Sequence, residues 1–301
     1  MGACTLAASG VVHAQASVRL EDAERFAKLF ASTPTPSAAQ LDELYLKPGS
    51  EGVAGFIKYR IKSADNLAER VATLQADYRK GIELCLPAAR KLQPQAEQTI
   101  AKVQALLGRT DTAPVYMLFG GGNSGGTASS KALMLGLEVL CRSANTELEA
   151  TRIITEFVAH EVTHVYQNRS MKASPTGDLL QAMLVEGFAD FAMTMAMGEQ
   201  AASDAERSAY GLAREHELWE KAQADFKHGD KQLRNWMYNN NTPRAAGEPA
   251  DLGYWLGKRI CEAYYARATD KTAALQILLE MADPAQILRD SGYQGGQGGK
   301  R

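Results

Sequence analysis

The feature that most constrains this chain is the run from Leu179 to Met197, apolar throughout except for Gln181, Glu186, Asp190 and Thr194. Such a run reads as a helix that is hydrophobic on every side and must be buried. Two interior carboxylates make a membrane span the poorer explanation, and no other stretch is both long enough and free enough of charge to cross a bilayer. A buried carboxylate is costly unless a cation or strong donors meet it. Glu186 and Asp190 lie four apart, on one helical face, so one partner group can serve both.

A candidate partner lies just upstream. His160-Glu161-Val162-Thr163-His164 has the H-E-x-x-H pattern, which on a helix turns both imidazoles toward a single ion. Ile153 and Phe157 share the histidine stripe, Ile154, Val158, Val162 and Val165 widen the apolar arc, and Arg152, Glu156 and Thr163 lie opposite. Asn145 is the expected N-cap of this helix. A hydrolytic zinc site takes three protein ligands and water. The metzincin solution would need Gly at 167 and His at 170, where this chain has Gln167 and Ser170. A glutamate from the following helix fits instead: Glu186 as third ligand, with Asp190 accepting the outer N–H of a ligand histidine. The alternatives are an arginine partner for Glu186 and a capping or bridging role for Asp190.

His160-Glu161-x-x-His164 followed by Glu186-x-x-x-Asp190 resembles the gluzincins. More narrowly, the chain resembles a little-characterised bacterial family of predicted zinc-dependent proteases. That likeness extends to Tyr45-Leu46-Lys47-Pro48-Gly49, the glycine-rich strand-loop-strand, Glu186-Gly187-x-Ala189-Asp190 and Gly253-Tyr254-x-x-Gly257, over residues 41 to 290. It implies a zinc-dependent hydrolase acting on a peptide or protein, with Zn2+ on His160, His164 and Glu186 and with Glu161 as general base. The same ligands also suit other first-row metals. It also implies Tyr254 as the donor to the developing oxyanion, with Tyr238 and His216 as rivals; the alternative for Tyr254 is an aromatic that packs a helix. His228 is expected at the surface. Two other functions stay open: a zinc amidase acting on a non-peptide amide, and a silent zinc-containing binding or regulatory protein. Glu161 speaks against the second, because a structural site has no use for a base.

With 33 basic and 35 acidic residues, the near-neutral chain has no electrostatic reason to bind nucleic acid or anionic membrane. Residues 1–16 read as a signal peptide ending at Ala14-Gln15-Ala16, which makes the protein exported, periplasmic or secreted. Cys85, Cys141 and Cys261 then remain, as one disulfide and a free thiol or as buried thiols.

Residues 17–112 form a helical region, 113–290 the catalytic region and 291–301 a disordered glycine-rich tail. In the first region a helix starts at Ser63, and Pro87 and Pro94 break or kink the helical stretch beyond it. Val115–Phe119 and Ala132–Leu140 are expected strands around the loop from Gly120 to Thr127, and helices are expected at 178–197, 204–227, 251–268 and 270–282. The fold expected is α+β, mainly helical, with a gluzincin-like zinc-helix pair and a small β-sheet or hairpin beside the cleft. The likeness to gluzincins suggests Val115–Phe119 as an edge for an extended peptide, the alternative being a structural hairpin. The sequence does not set the oligomeric state.

Overall fold

The computed structural model describes residues 18–172, 178–198, 201–226, 228, 232–240 and 242–296. The expected signal peptide lies outside the described residues. Four strands make one mixed sheet in the order β1-β2-β4-β3, namely β1 (Val18–Arg19), β2 (Val115–Leu118), β3 (Gly126–Ala128) and β4 (Leu133–Gly136). β2 runs parallel to both β1 and β4, whereas β3 lies antiparallel to β4 with Gly126 opposite Leu135. The residues of β2 and β4 are all buried, and those of β3 half-buried.

Two strand expectations are corrected here. Val115–Phe119 is not an edge strand, because β4 runs along one side of β2 and β1 pairs with Val115 and Tyr116 on the other; the edge strands are β1 and β3, the latter within the glycine loop itself. The expected strand Ala132–Leu140 ends at Gly136, where the chain turns into a short helix, Leu137–Leu140, that carries Glu138 beneath the loop.

The principal helices are α1 (Glu21–Ser32), α2 (Ala64–Thr73), α3 (Leu86–Leu106), α4 (Glu147–Ser170), α5 (Leu179–Met197), α6 (Ala205–Ala213), α7 (Glu215–Phe226), α8 (Leu252–Arg267), α9 (Lys271–Glu280) and α10 (Pro284–Ser291). Ser63 caps α2 by accepting from the Asn66 amide at 3.1 Å. Neither proline ends α3. Pro87 sits in its first turn, where no N–H is missed, and Pro94 lies inside the helix on its exposed side, where water can serve the freed carbonyl. The face bearing Leu92, Ala96, Ile100 and Val103 is buried and keeps the helix continuous.

The N-cap of α4 is Thr146, one residue beyond the expected Asn145. Its Oγ1 accepts from the Glu149 amide at 3.2 Å, while the Glu149 carboxylate reaches back to the Asn145 amide at 2.6 Å. The supposed polar side of α4 is also covered: Glu156 and Thr163 are buried, with Thr163 bonded to the Ala159 carbonyl and Glu156 to Arg152 and the Ala202 amide. The expected helix 204–227 divides at Arg214.

Asp178 caps α5, and Gly198 ends it in the left-handed conformation at φ 75°. α3, α4 and α8 surround it, so its membrane-like length and hydropathy serve a core position. Its crossing with α8 is unusually close. A side chain on Gly257 would begin 1.7 Å from the Met183 carbonyl oxygen, and one on Gly187 would begin 2.2 Å from the Gly257 backbone. The paired glycines of the two family-like segments therefore form one backbone-to-backbone contact.

Two further features tie the periphery down. Cys85 and Cys141 form a disulfide, and Cys261 is a buried free thiol. Residues 291–296 are not a loose tail: Tyr293 is buried, with its ring 5.0 Å from Trp219 and its hydroxyl donating to Glu215 at 2.7 Å.

Candidate metal centre

α4 and α5 bring three sequence-predicted residues together. The candidate donor atoms of His160, His164 and Glu186 all lie within 4.8 Å of one another. His164 Nε2 stands 3.0 Å from His160 Nε2 and 3.0 Å from Glu186 Oε2, and His160 Nε2 is 3.3 Å from the same oxygen. The outer nitrogens fix the tautomers. His160 Nδ1 faces the Asp190 carboxylate at 2.8 Å. His164 Nδ1 faces Gln167 Oε1 at 2.5 Å, and Gln167 Nε2 donates to the Val185 carbonyl at 2.9 Å.

Both Nδ1 atoms therefore carry hydrogen, and both Nε2 atoms turn lone pairs inward toward a carboxylate oxygen. With both imidazoles neutral, the two Nε2 atoms and Glu186 Oε2 would be three acceptors facing one another. Only a cation or an added proton relieves that arrangement, so the residues suit a divalent metal. The same pull appears in their acidities. Burial opposes charge on His160, but Asp190 and Glu186 outweigh it and hold its pKa well above the usual histidine range. His164 is raised in the same way, chiefly by Glu186 against burial. Glu186, although buried, is held well below the usual carboxylate range by the two imidazoles.

Behind Asp190 runs a buried line of alternating charge. Arg207 Nη2 is 3.5 Å from Asp190 Oδ2, Arg207 Nε is 3.1 Å from Asp204 Oδ1, and Lys258 Nζ is 3.4 Å from Asp204 Oδ2. Each carboxylate in this line faces a cation, which is how buried charges are retained.

Glu161 points into the same cleft, beside β3. A side chain on Gly126 would begin 2.4 Å from Glu161 Oε1, so a larger residue here would push the Glu161 carboxylate aside. Burial raises the Glu161 pKa, against the influence of His164 and His160. Asn168 of α4 holds the far end of β3 by donating to the Ala128 carbonyl at 3.3 Å. Upstream, the Tyr45 hydroxyl donates to the Phe119 carbonyl at 2.6 Å and that of Tyr78 to the Gly120 carbonyl at 2.7 Å, pinning the start of the glycine loop.

The opposite wall carries two tyrosines. Tyr254 lies nearly parallel to His160, with ring centroids 6.3 Å apart and the Arg207 guanidinium 5.2 Å from its own ring. Its hydroxyl bonds to none of the described residues. Tyr238 donates to Glu186 Oε1 at 2.8 Å. Its backbone has φ 55°, and that of Asp251 has φ 59°. A reciprocal pair of bonds between Asn239 and Asp251, each 2.8 Å, holds this uncommon geometry. Burial raises the pKa of both phenols, with Glu186 adding to it, so both are neutral donors. His216 and His228 are exposed and line no part of the cleft. The cavity that holds these groups has a volume of about 1050 Å³.

Sequence reasoning overlooked Gln167 and Arg207. Gln167 had a signal, a polar residue one helical turn beyond His164 on the same face. Arg207 had only the nearby Asp204, three residues before it at the start of its own helix; Asp190 comes from α5.

Fold and site together define a mainly helical α+β protein with a His-His-Glu centre able to hold a metal ion. The chain belongs to the family described as Predicted Zn-dependent protease (DUF2268), whose model matches residues 87–289. No curated protein and no solved structure matches it.

Proposed function

We propose that the protein is a zinc metallopeptidase of the gluzincin kind, with His160, His164 and Glu186 as the metal ligands. The observation that carries this reading is the convergence of His160 Nε2, His164 Nε2 and Glu186 Oε2 beside Glu161, with both outer Nδ1 atoms already engaged. When bound there, zinc supplies a Lewis acid that brings the pKa of water toward neutrality. Glu161 takes the proton released by the attacking water and passes it to the leaving amine, a role that its raised pKa suits. The unengaged hydroxyl of Tyr254 donates to the carbonyl oxygen as charge develops on it. Tyr238 orients Glu186 instead. The free edge of β3 pairs with an extended peptide and lays it beside Glu161. We also propose export to an oxidising compartment, which the Cys85–Cys141 disulfide supports.

Metal analysis combined with cleavage of an internally quenched peptide library tests the proposal. Glu161→Gln is expected to retain zinc while losing about 10²- to 10⁴-fold in kcat/KM. Glu186→Ala is expected to fold but lose the metal. A wild-type protein that binds zinc and cleaves no peptide would overturn the peptidase reading.

A further inference from the structure

The cleft is lined by five arginines: Arg60, Arg70, Arg142, Arg207 and Arg234. Three of them are engaged. Arg142 pairs with Asp77 at 2.8 Å, and Arg207 sits between Asp190 and Asp204. Arg234 donates to the Tyr238 carbonyl at 3.0 Å and covers that residue's ring. The other two stand apart on the glycine-loop wall. Arg60 Nε donates to Thr127 Oγ1 of β3 at 2.9 Å, and Arg70 Nε donates to the Gly121 carbonyl at 3.0 Å.

Among the described residues neither Arg60 nor Arg70 has a carboxylate oxygen within ion-pair distance. Each Nε bond holds its guanidinium in place and leaves the terminal nitrogens, whose fork matches a carboxylate, for another partner. Both residues are half-buried, so a carboxylate meeting them is partly shielded from water. Both residues line the cleft that holds His160, Glu161 and His164, and Arg60 is bonded to Thr127, next to the Gly126 that passes against Glu161.

We infer that Arg60 and Arg70 form a carboxylate-binding subsite beside β3, and that the substrates are peptides bearing an acidic group near the cleaved bond. This rests on the peptidase reading above. A strand-paired peptide supplies its backbone to β3 and turns alternate side chains toward Thr127 and the two guanidinium groups.

The test uses peptides that differ by one group: an internal Asp against Asn, and a free C-terminus against its amide. The ratio of kcat/KM values is read for cleavage, and fluorescence anisotropy on non-cleaving Glu161→Gln protein reads binding. Wild type is expected to favour one carboxylate peptide by about 10- to 100-fold over its neutral partner. The pair that discriminates tells whether the carboxylate belongs to a side chain or to the chain end. Arg60→Gln combined with Arg70→Gln is expected to bring the ratio close to one, and Arg60→Glu to shift preference toward Lys. A ratio within a chain variant is independent of how much protein folds. Equal handling of charged and neutral peptides by wild type, or an unaltered ratio in the double variant, overturns the subsite. Discrimination in binding without hydrolysis by wild type leaves the subsite standing and removes the peptidase reading.

Discussion

Gln167 fixes the tautomer of His164. Its Nε2 donates to the Val185 carbonyl at 2.9 Å, which leaves Oε1 to accept from His164 Nδ1 at 2.5 Å. Partners of this kind orient a ligand imidazole and raise its basicity. Gln167→Ala is therefore expected to weaken metal binding by about 10- to 100-fold. Competition with a chelator of known affinity measures the change. Unaltered affinity would reduce Gln167 to a packing residue.

Gly257 meets the Met183 carbonyl so closely that Gly257→Ala must separate α5 from α8. Forced overpacking of this kind costs about 3 kcal/mol. A lowered urea midpoint, together with weaker metal binding through the neighbouring Glu186, is the expected result. A variant as stable as wild type would show that the helices part freely.

The Cys85–Cys141 bond closes a sequence separation of 56 residues. In the chain-entropy account, opening it lowers stability by about 4 kcal/mol. Thermal melts with and without reductant measure this. Alkylation of the unfolded, unreduced chain is expected to label Cys261 and neither partner of the bond.

Glu138 predicts a pH dependence. Burial pushes its carboxyl up from 4.5 to about 7, partly offset by the Gly120 and Gly122 amides, with Arg142 acting the same way. Near it, Tyr78 holds the Gly120 carbonyl and Arg142 holds that of Gly122. Between pH 4.5 and about 7 the folded protein keeps a proton that the unfolded chain has lost. Stability therefore falls as pH rises through that window and levels off above it. The fall attributable to this group is about 3 kcal/mol. Glu138→Gln has no such proton and should lack that part of the fall. Parallel profiles from denaturant melts across pH 5 to 8, a range set by the usual working span of such groups, would remove the assignment.

The site was legible to the extent that it is local. Helical spacing alone puts His160 and His164 together, and a buried glutamate in an apolar run announces a need for a cation. The long helices were legible for the same reason, through their period and caps. The features that escaped depend on distant pairing. β2 became internal because Val18, far away in the chain, pairs with it on the side opposite Leu133. Pro94 stays helical because the buried face of α3 outweighs one missing bond. The glycine-rich end is ordered through Tyr293, whose partners Trp219 and Glu215 lie on another helix. Arg207 escaped because its role depends on Asp190, which reaches it from α5.

The α5–α8 crossing acts as a ruler. Glu186 precedes Gly187 directly, so the height of that carboxylate is set by main chain resting on main chain and not by interlocking side chains. Two glycines thus hold the position along α5 that a layer of packed side chains would otherwise set.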